Sequence, residues 1–182
     1  VEYLPDTEET KINDIFDRIN RNVAKLSPQE LRHAKFDGVF ITSVEEMTKW
    51  MLAKLPQGFP NLQERSKRQM KDVEVVAQLM LYLEEGVKSY SQADLDKAFS
   101  DRDESWENKL SIEDRFRETI TRVDEVVTAG HDLNRTRLKN QADFFSLFAV
   151  LSDPHTGELK SGEISGRISE FIDIVEDADR RA

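Results

Sequence analysis

Two groups of basic side chains are the residues whose types and spacing could serve a chemical purpose. Each group falls at the predicted start of a helix, where the helix dipole favours acids, and such local inconsistencies tend to mark function. Arginine and lysine side chains bind phosphate oxygens, so phosphate or DNA contact is the chemistry that they indicate. The groups are Arg65, Lys67, Arg68 and Lys71, and Arg135, Arg137 and Lys139. The alternative is that both are solvated faces that offset an acidic chain.

Other kinds of site have no support in the residue types. The three histidines, His33, His131 and His155, are scattered and have no partner at metal-ligand spacing, and the absence of cysteine excludes thiolate zinc sites and disulfides. With 36 acidic residues, paired carboxylates are expected by chance. No Gly-rich phosphate loop and no Gly-x-Ser-x-Gly elbow is present. We therefore expect no catalytic residue, no metal site and no cofactor site in this chain.

The composition predicts one acidic helical domain. The chain has 182 residues, with 26 Lys and Arg against 36 Asp and Glu, which gives a net charge of 26 − 36 = −10. Charged residues make up 34%, with only 7 Gly and 5 Pro. No apolar run approaches the roughly 20 residues of a membrane span, and no secretory signal is visible, so we expect a cytoplasmic protein without membrane contact. Because the chain begins with Val1, we interpret it as a fragment or a processed chain.

Apolar periodicity predicts an all-α fold, with residues 1–182 forming a single helical domain of seven or eight helices around a long central one. Val39–Ile41 is the only β-leaning run. Capping boxes are expected at Ser27, Ser43 and Ser91, and Gly86 should end the central helix. The predicted helices span about 7–19, 28–36, 44–55, 63–85, 92–99, 112–127, 135–151 and 161–180, with Asn134 as the cap of the seventh.

A helical hairpin near the amino terminus is the most distinctive stretch. Its first part is Phe16-x-Arg18-Ile19-Asn20, and its second part runs from Leu26 through Ser27-x-Gln29-Glu30-Leu31-Arg32-x-Ala34 to Gly38. The apolar residues should face the core, whereas Arg18 and Asn20 can reach solvent or a site at the helix end. Glu30 occupies the third position of a capping box, which favours a structural role for it.

This hairpin resembles the motif of the GmrSD-like restriction and defence family, a group of uncharacterised domains related to ParB-like and sulfiredoxin-like nucleases. Three weaker similarities follow downstream: Arg68-x-x-x-Asp72-x-Glu74-x-Val76, Gly86, and the Phe144-Phe145 helix. Together they cover most of the chain. The resemblance implies a bacterial, nucleotide-dependent DNA-targeting module used in restriction and anti-phage defence.

The resemblance also implies where the chemistry lies. The family's Asp-Gly-Gln-Gln-Arg signature and any HNH nuclease pattern are missing here. We therefore expect this chain to be the carboxy-terminal helical part of such a protein, inactive alone, with a missing N-terminal catalytic half as its partner. The intact protein would resemble a component of an NTP-dependent DNA endonuclease, and its nucleoside triphosphate and divalent metal would belong to that half. Arg18 and Asn20 would face the nucleotide pocket.

A second function stays open at this point. The chain could be a helical protein-protein interaction module with no role in nucleic-acid binding. In that interpretation the acidic surface and the side chains of Trp50 and Trp106 matter more than the basic groups. DNA binding, if it occurs, should be weak because the domain as a whole is acidic. The sequence does not predict an oligomeric state.

Overall fold

The fold is entirely helical in the part of the chain that the computed structural model describes, which is residues 26–62 and 69–181, with side chains described as far as Asp177. Seven α-helices and three short 3₁₀ helices occur there, and no strand. The α-helices are α1 (Pro28–Lys35), α2 (Val39–Lys54), α3 (Lys71–Glu85), α4 (Gln92–Asp101), α5 (Lys109–Thr128), α6 (Gln141–Leu151) and α7 (Ser161–Arg181). The 3₁₀ helices are Leu133–Arg135, Arg137–Lys139 and Pro154–Glu158. The predicted fold class is confirmed.

One hydrophobic core joins the helices. Helix α5 packs against α2, α3, α6 and α7, while α1 contacts α3 and α4. Helix α3 is the most enclosed element, because Val76, Ala77, Leu79, Met80 and Leu81 are at most 2% exposed and point in several directions around its axis. The predicted central helix is therefore central, although α5 and α7 are longer.

Local signals located several helix ends correctly. Ser27 and Ser91 each form a capping box, with Glu30 and Asp94 respectively, at the starts of α1 and α4. Gly86 ends α3 with a φ of 80°, a backbone conformation that glycine adopts without steric cost. The predicted helix over residues 7–19 lies outside the described residues.

The start of α2 differs from the expectation. The helix begins at Val39, so the β-leaning run Val39–Ile41 forms its first turn, and the predicted capping box at Ser43 is wrong. Ser43 lies inside the helix, fully buried, and its hydroxyl donates to Glu113 at 2.6 Å. Tertiary burial of Phe40 and Ile41 outweighs the weak β preference of the run.

A residue far along the chain caps α2. The backbone N–H groups of Gly38 and Val39 donate to the carboxylate and the carbonyl oxygen of Asp103, at 2.9 and 2.8 Å. These bonds satisfy donors that a helix start leaves free. A Cβ atom at position 38 would lie 2.0 Å from the Asp103 carbonyl oxygen, so only glycine permits this approach.

The start of α3 also differs from the prediction. The predicted helix over 63–85 cannot be continuous, because Gln69 and Met70 form a turn and Met70 is left-handed with a φ of 54°. The helix begins at Lys71, and its first turn carries Asp72 and Glu74. Acids at this end agree with the helix dipole. The inconsistency that the sequence suggested at this helix start is therefore not present.

Candidate nucleic-acid interface

The second basic group lies on two 3₁₀ helices rather than at the start of α6. Arg135 ends the first and Arg137 and Lys139 belong to the second, whereas α6 begins at Gln141 with Asn140 as its N-cap. The predictions that Asn134 caps this helix and that the basic group opens it are therefore wrong.

The burial of two leucines explains why the helical segment is interrupted here. Leu133 and Leu138 are both buried, yet residues five apart point roughly 140° away from each other on an α-helix. The break at Thr136, an extended residue whose side chain accepts from the Leu138 N–H, lets both leucines reach the core. The basic side chains of Arg135, Arg137 and Lys139 therefore lie on the surface side of this segment.

The three basic side chains of this group differ in their surroundings. The Nε of Arg137 donates to Asp143 Oδ2 at 3.0 Å, which forms an ion pair between the second 3₁₀ helix and α6. Arg135 is exposed and Lys139 is half-buried, and neither forms an ion pair or a side-chain hydrogen bond to any described residue. Two cations are thus available to a ligand, and the third is engaged.

The first basic group is only partly within the described chain. Arg65, Lys67 and Arg68 lie outside the described residues. Lys71 is the first residue of α3, and its side chain is exposed and forms no ion pair with a described residue.

A backbone hydrogen bond joins the loop after α2 to the second basic group. The backbone N–H of Asn61 donates to the carbonyl oxygen of Lys139 at 2.7 Å. The rings of Phe59 and Phe144 support this contact, with centroids 5.6 Å apart. This hydrogen bond therefore links the loop after α2 to the 3₁₀ helix that carries Lys139. The sequence offers no signal for this contact, because the donor and the acceptor are backbone atoms.

The described half of the family-like hairpin anchors α1 to the domain. The Ser27 hydroxyl accepts from the Glu30 N–H at 3.2 Å and also donates to the Gln69 carbonyl oxygen at 2.7 Å. It therefore links the start of α1 to the turn that precedes α3. Arg18 and Asn20, the two residues that the resemblance assigns to a pocket, lie outside the described residues.

Arg32 is the principal anchor of α1, because its guanidinium is only 2% exposed and has four polar partners. Its Nε donates to Asp96 at 2.7 Å, and its Nη1 donates to Gln29 at 2.7 Å and to Glu74 at 3.0 Å. Nη2 donates to Gln92. The partners come from α1, α3 and α4, so one side chain ties three helices together. Four of its five N–H donors are thus engaged by side chains of the domain, which makes Arg32 a structural residue.

A second polar network surrounds the end of α3. Arg102 donates to Glu84 at 2.9 Å and to Glu85 at 2.7 Å. The indole N–H of Trp106 donates to Glu84 at 2.9 Å, and the side chain is only 8% exposed. Trp106 is therefore part of the core and not a surface residue for a partner, contrary to the interaction hypothesis.

The hydrogen bonds of this network lower the pKa of the Glu85 carboxyl. Burial raises the pKa of its carboxyl, but hydrogen bonds from Lys88, Tyr90 and Arg102 act in the opposite direction and outweigh burial, so the pKa lies below its usual value. Burial and the hydrogen bond to Glu85 raise the pKa of Tyr90. Both groups keep their ordinary charge at neutral pH, which suits a structural network and not acid–base chemistry.

A groove with a largely apolar lining lies between α6 and α7 on the described surface. Its volume is about 420 Å³. Val150 and Phe171 line it and are 56% and 65% exposed. Its other apolar lining residues are Leu138, Leu147, Ile168, Ile172 and Val175.

Comparisons with known proteins assign no family. No family model matches the chain, and no curated protein or solved structure matches it either. Among the described helices, none combines the length and the apolar character that crossing a bilayer demands.

Proposed function

We propose that this chain is the helical portion of a GmrSD-like, nucleotide-dependent DNA-targeting protein of the restriction and anti-phage class. In this proposal it supports a catalytic half that is not part of the chain, and it contacts DNA phosphates weakly through its basic residues. Arg18 and Asn20 complete the nucleotide pocket of the intact protein, where a guanidinium and an amide bind phosphate and base or sugar atoms.

The observation that carries the proposal is the presence, on the first two 3₁₀ helices, of two cationic side chains without an ionic partner in the described chain, Arg135 and Lys139. Arg135 and Lys139 have no acidic partner among the described residues, although the chain as a whole carries ten excess negative charges. Cations that remain unpaired on an acidic protein are available to an external anion. Arg32 also anchors α1, the described half of the family-like hairpin, to α3 and α4.

DNA binding by the whole chain tests the proposal. Fluorescence anisotropy with a labelled duplex of about 20 base pairs, from about 20 to about 200 mM NaCl, should show weak binding that falls steeply with salt, because phosphate contacts release counterions. Reversing Lys71, Arg135 and Lys139 to Glu should lower the affinity at least tenfold and reduce the slope of log K against log[NaCl] by about 2.7, since each contact contributes about 0.9.

The matched control reverses Lys49, Lys97 and Lys160, which lie on α2, on α4 and just before α7. It changes the net charge equally but should leave the slope unaltered. Absence of binding at the lowest salt, or an equal effect of both variants, would contradict the proposal.

A protein-protein interaction module is the second candidate, and the groove between α6 and α7 is the observation that favours it. Exposed apolar surface of this kind often marks a contact site. If the chain fails to bind DNA at low salt, while the Phe171→Asp substitution abolishes capture of a protein partner and Leu110→Asp does not, this function replaces the first. Leu110 is a suitable control because it is also highly exposed, at 74%.

A further inference from the structure

We infer that the three cations of the 3₁₀ segment 133–139 have different tasks: Arg135 and Lys139 are the phosphate ligands, whereas Arg137 positions the segment and does not touch DNA. This inference rests on the proposed function and extends it to the individual basic residues of the segment. It assigns each of them a role from its surroundings.

The guanidinium of Arg137 forms an ion pair with the carboxylate of Asp143. Its Nε lies 3.0 Å from Asp143 Oδ2, and the two side chains are 41% and 28% exposed. A phosphate that approached this guanidinium would also approach the Asp143 carboxylate. These two like charges would repel each other, which offsets what the arginine would contribute. Phosphate contact at Arg137 is therefore disfavoured.

The Arg137–Asp143 ion pair also restrains a neighbouring segment of the backbone. It joins the second 3₁₀ helix to the first turn of α6, and that 3₁₀ helix includes Lys139, whose carbonyl oxygen accepts from Asn61. The pair thus holds the backbone that carries Lys139. Arg137 therefore affects a ligand only by holding Lys139 in position.

Arg135 and Lys139 lack any such restraint. Neither side chain has an ionic or hydrogen-bonding partner in the described chain, and the two residues are separated by four positions on consecutive short helices that contact each other. Phosphates along one DNA strand are several ångström apart, a spacing that long flexible cationic side chains can span. The two free cations therefore form the ligand pair.

Single neutral substitutions separate these roles. We would measure anisotropy titrations of the whole chain with the same duplex for Arg135→Gln, Lys139→Gln and Arg137→Gln. The first two should each reduce the slope of log K against log[NaCl] by about 0.9, as expected for the loss of one phosphate contact. Arg137→Gln should keep the wild-type slope while lowering the affinity by a similar factor at every salt concentration.

The outcomes are distinguishable. If Arg137→Gln reduces the slope as much as the other two substitutions, Arg137 is a phosphate ligand and the inference is wrong, although the proposed function stands. If Arg135→Gln or Lys139→Gln leaves the slope unchanged, the ligand assignment is wrong. If the wild-type chain does not bind at all, the proposed function fails and this inference with it.

Discussion

At the scale of single residues, the same side-chain type performs opposite tasks in this domain. Arg32 is buried and hydrogen-bonded to four side chains, whereas Arg135 is exposed and has no partner among the described residues. The first can contribute only to stability and the second only to binding or solubility. The role of an arginine therefore depends more on the number of hydrogen-bond acceptors within its reach than on its residue type.

Replacing Arg32 by methionine should be strongly destabilising. The substitution keeps an apolar stem of similar length but leaves Glu74 and Gln29 without their cationic donor. Removing one partner of a buried charge network typically costs 3–5 kcal/mol, and about 3 kcal/mol is expected because Glu74 and Asp96 can still reach water. Urea unfolding monitored by circular dichroism measures the loss.

The matched control for this prediction is Lys97→Met. Lys97 pairs with Asp101 at 2.6 Å, but its side chain is 75% exposed. Exposed pairs contribute little, so the free energy of unfolding should stay close to the wild-type value. A similar small effect for both substitutions would show that the Arg32 network does not stabilise the fold.

At the scale of elements, the beginning of a helix is the feature that depends most on its surroundings. Helices α1 and α4 are capped by a serine of their own sequence, while α2 is capped by Asp103, which lies 65 positions away from Gly38. A cap supplied from a distance allows a helix to start at a residue with no capping side chain of its own.

Substituting Gly38 by alanine should disrupt this arrangement. The added Cβ would meet a backbone oxygen at 2.0 Å, so α2 and the Asp103 segment must separate and lose their hydrogen bonds. We expect the free energy of unfolding to fall by about 2–4 kcal/mol. Thermal and urea unfolding followed by circular dichroism would measure it.

Gly166→Ala provides the control. Gly166 lies within α7, and a Cβ there would make only an ordinary contact, 3.7 Å from His131 Nε2. The substitution should stabilise the protein by about 0.5–1 kcal/mol, because alanine has the higher helix propensity. If both glycine variants behave alike, the close approach at Gly38 does not constrain the fold.

At the scale of the whole molecule, a single core predicts a single unfolding transition. The buried apolar residues of α2 to α7 form one cluster in the described chain, with no division into two cores. Domains of this kind usually unfold in one cooperative step. Trp106 is buried beside α2, and its fluorescence should therefore report the same transition as the helical circular dichroism signal.

Leu79→Ala tests this cooperativity at the centre of α3. Leu79 is fully buried, so the cavity should cost about 3 kcal/mol, and both signals should shift together to lower urea concentration. Val87→Ala, at a position that is 93% exposed, should change the midpoint hardly at all. Two separate transitions for fluorescence and circular dichroism would contradict a single cooperative core.

The existence of the helices could be predicted from the sequence because their signals are local. Apolar residues three and four positions apart define α5, and a serine followed three residues later by an acid marks the starts of α1 and α4. These interactions involve neighbours on the same turn, so the sequence contains both partners within a few residues.

Only the tertiary structure decided which distant groups meet. Nothing in the sequence distinguishes Asp103 from the other acids as the cap of α2, or links Asn61 to Lys139, because such partners are far apart in the chain and at least one group of each pair is a backbone atom. The same holds for Arg32 and Arg135, which are alike in sequence and opposite in burial. Local contacts determine which helices form, and packing determines where each begins and which charges stay free.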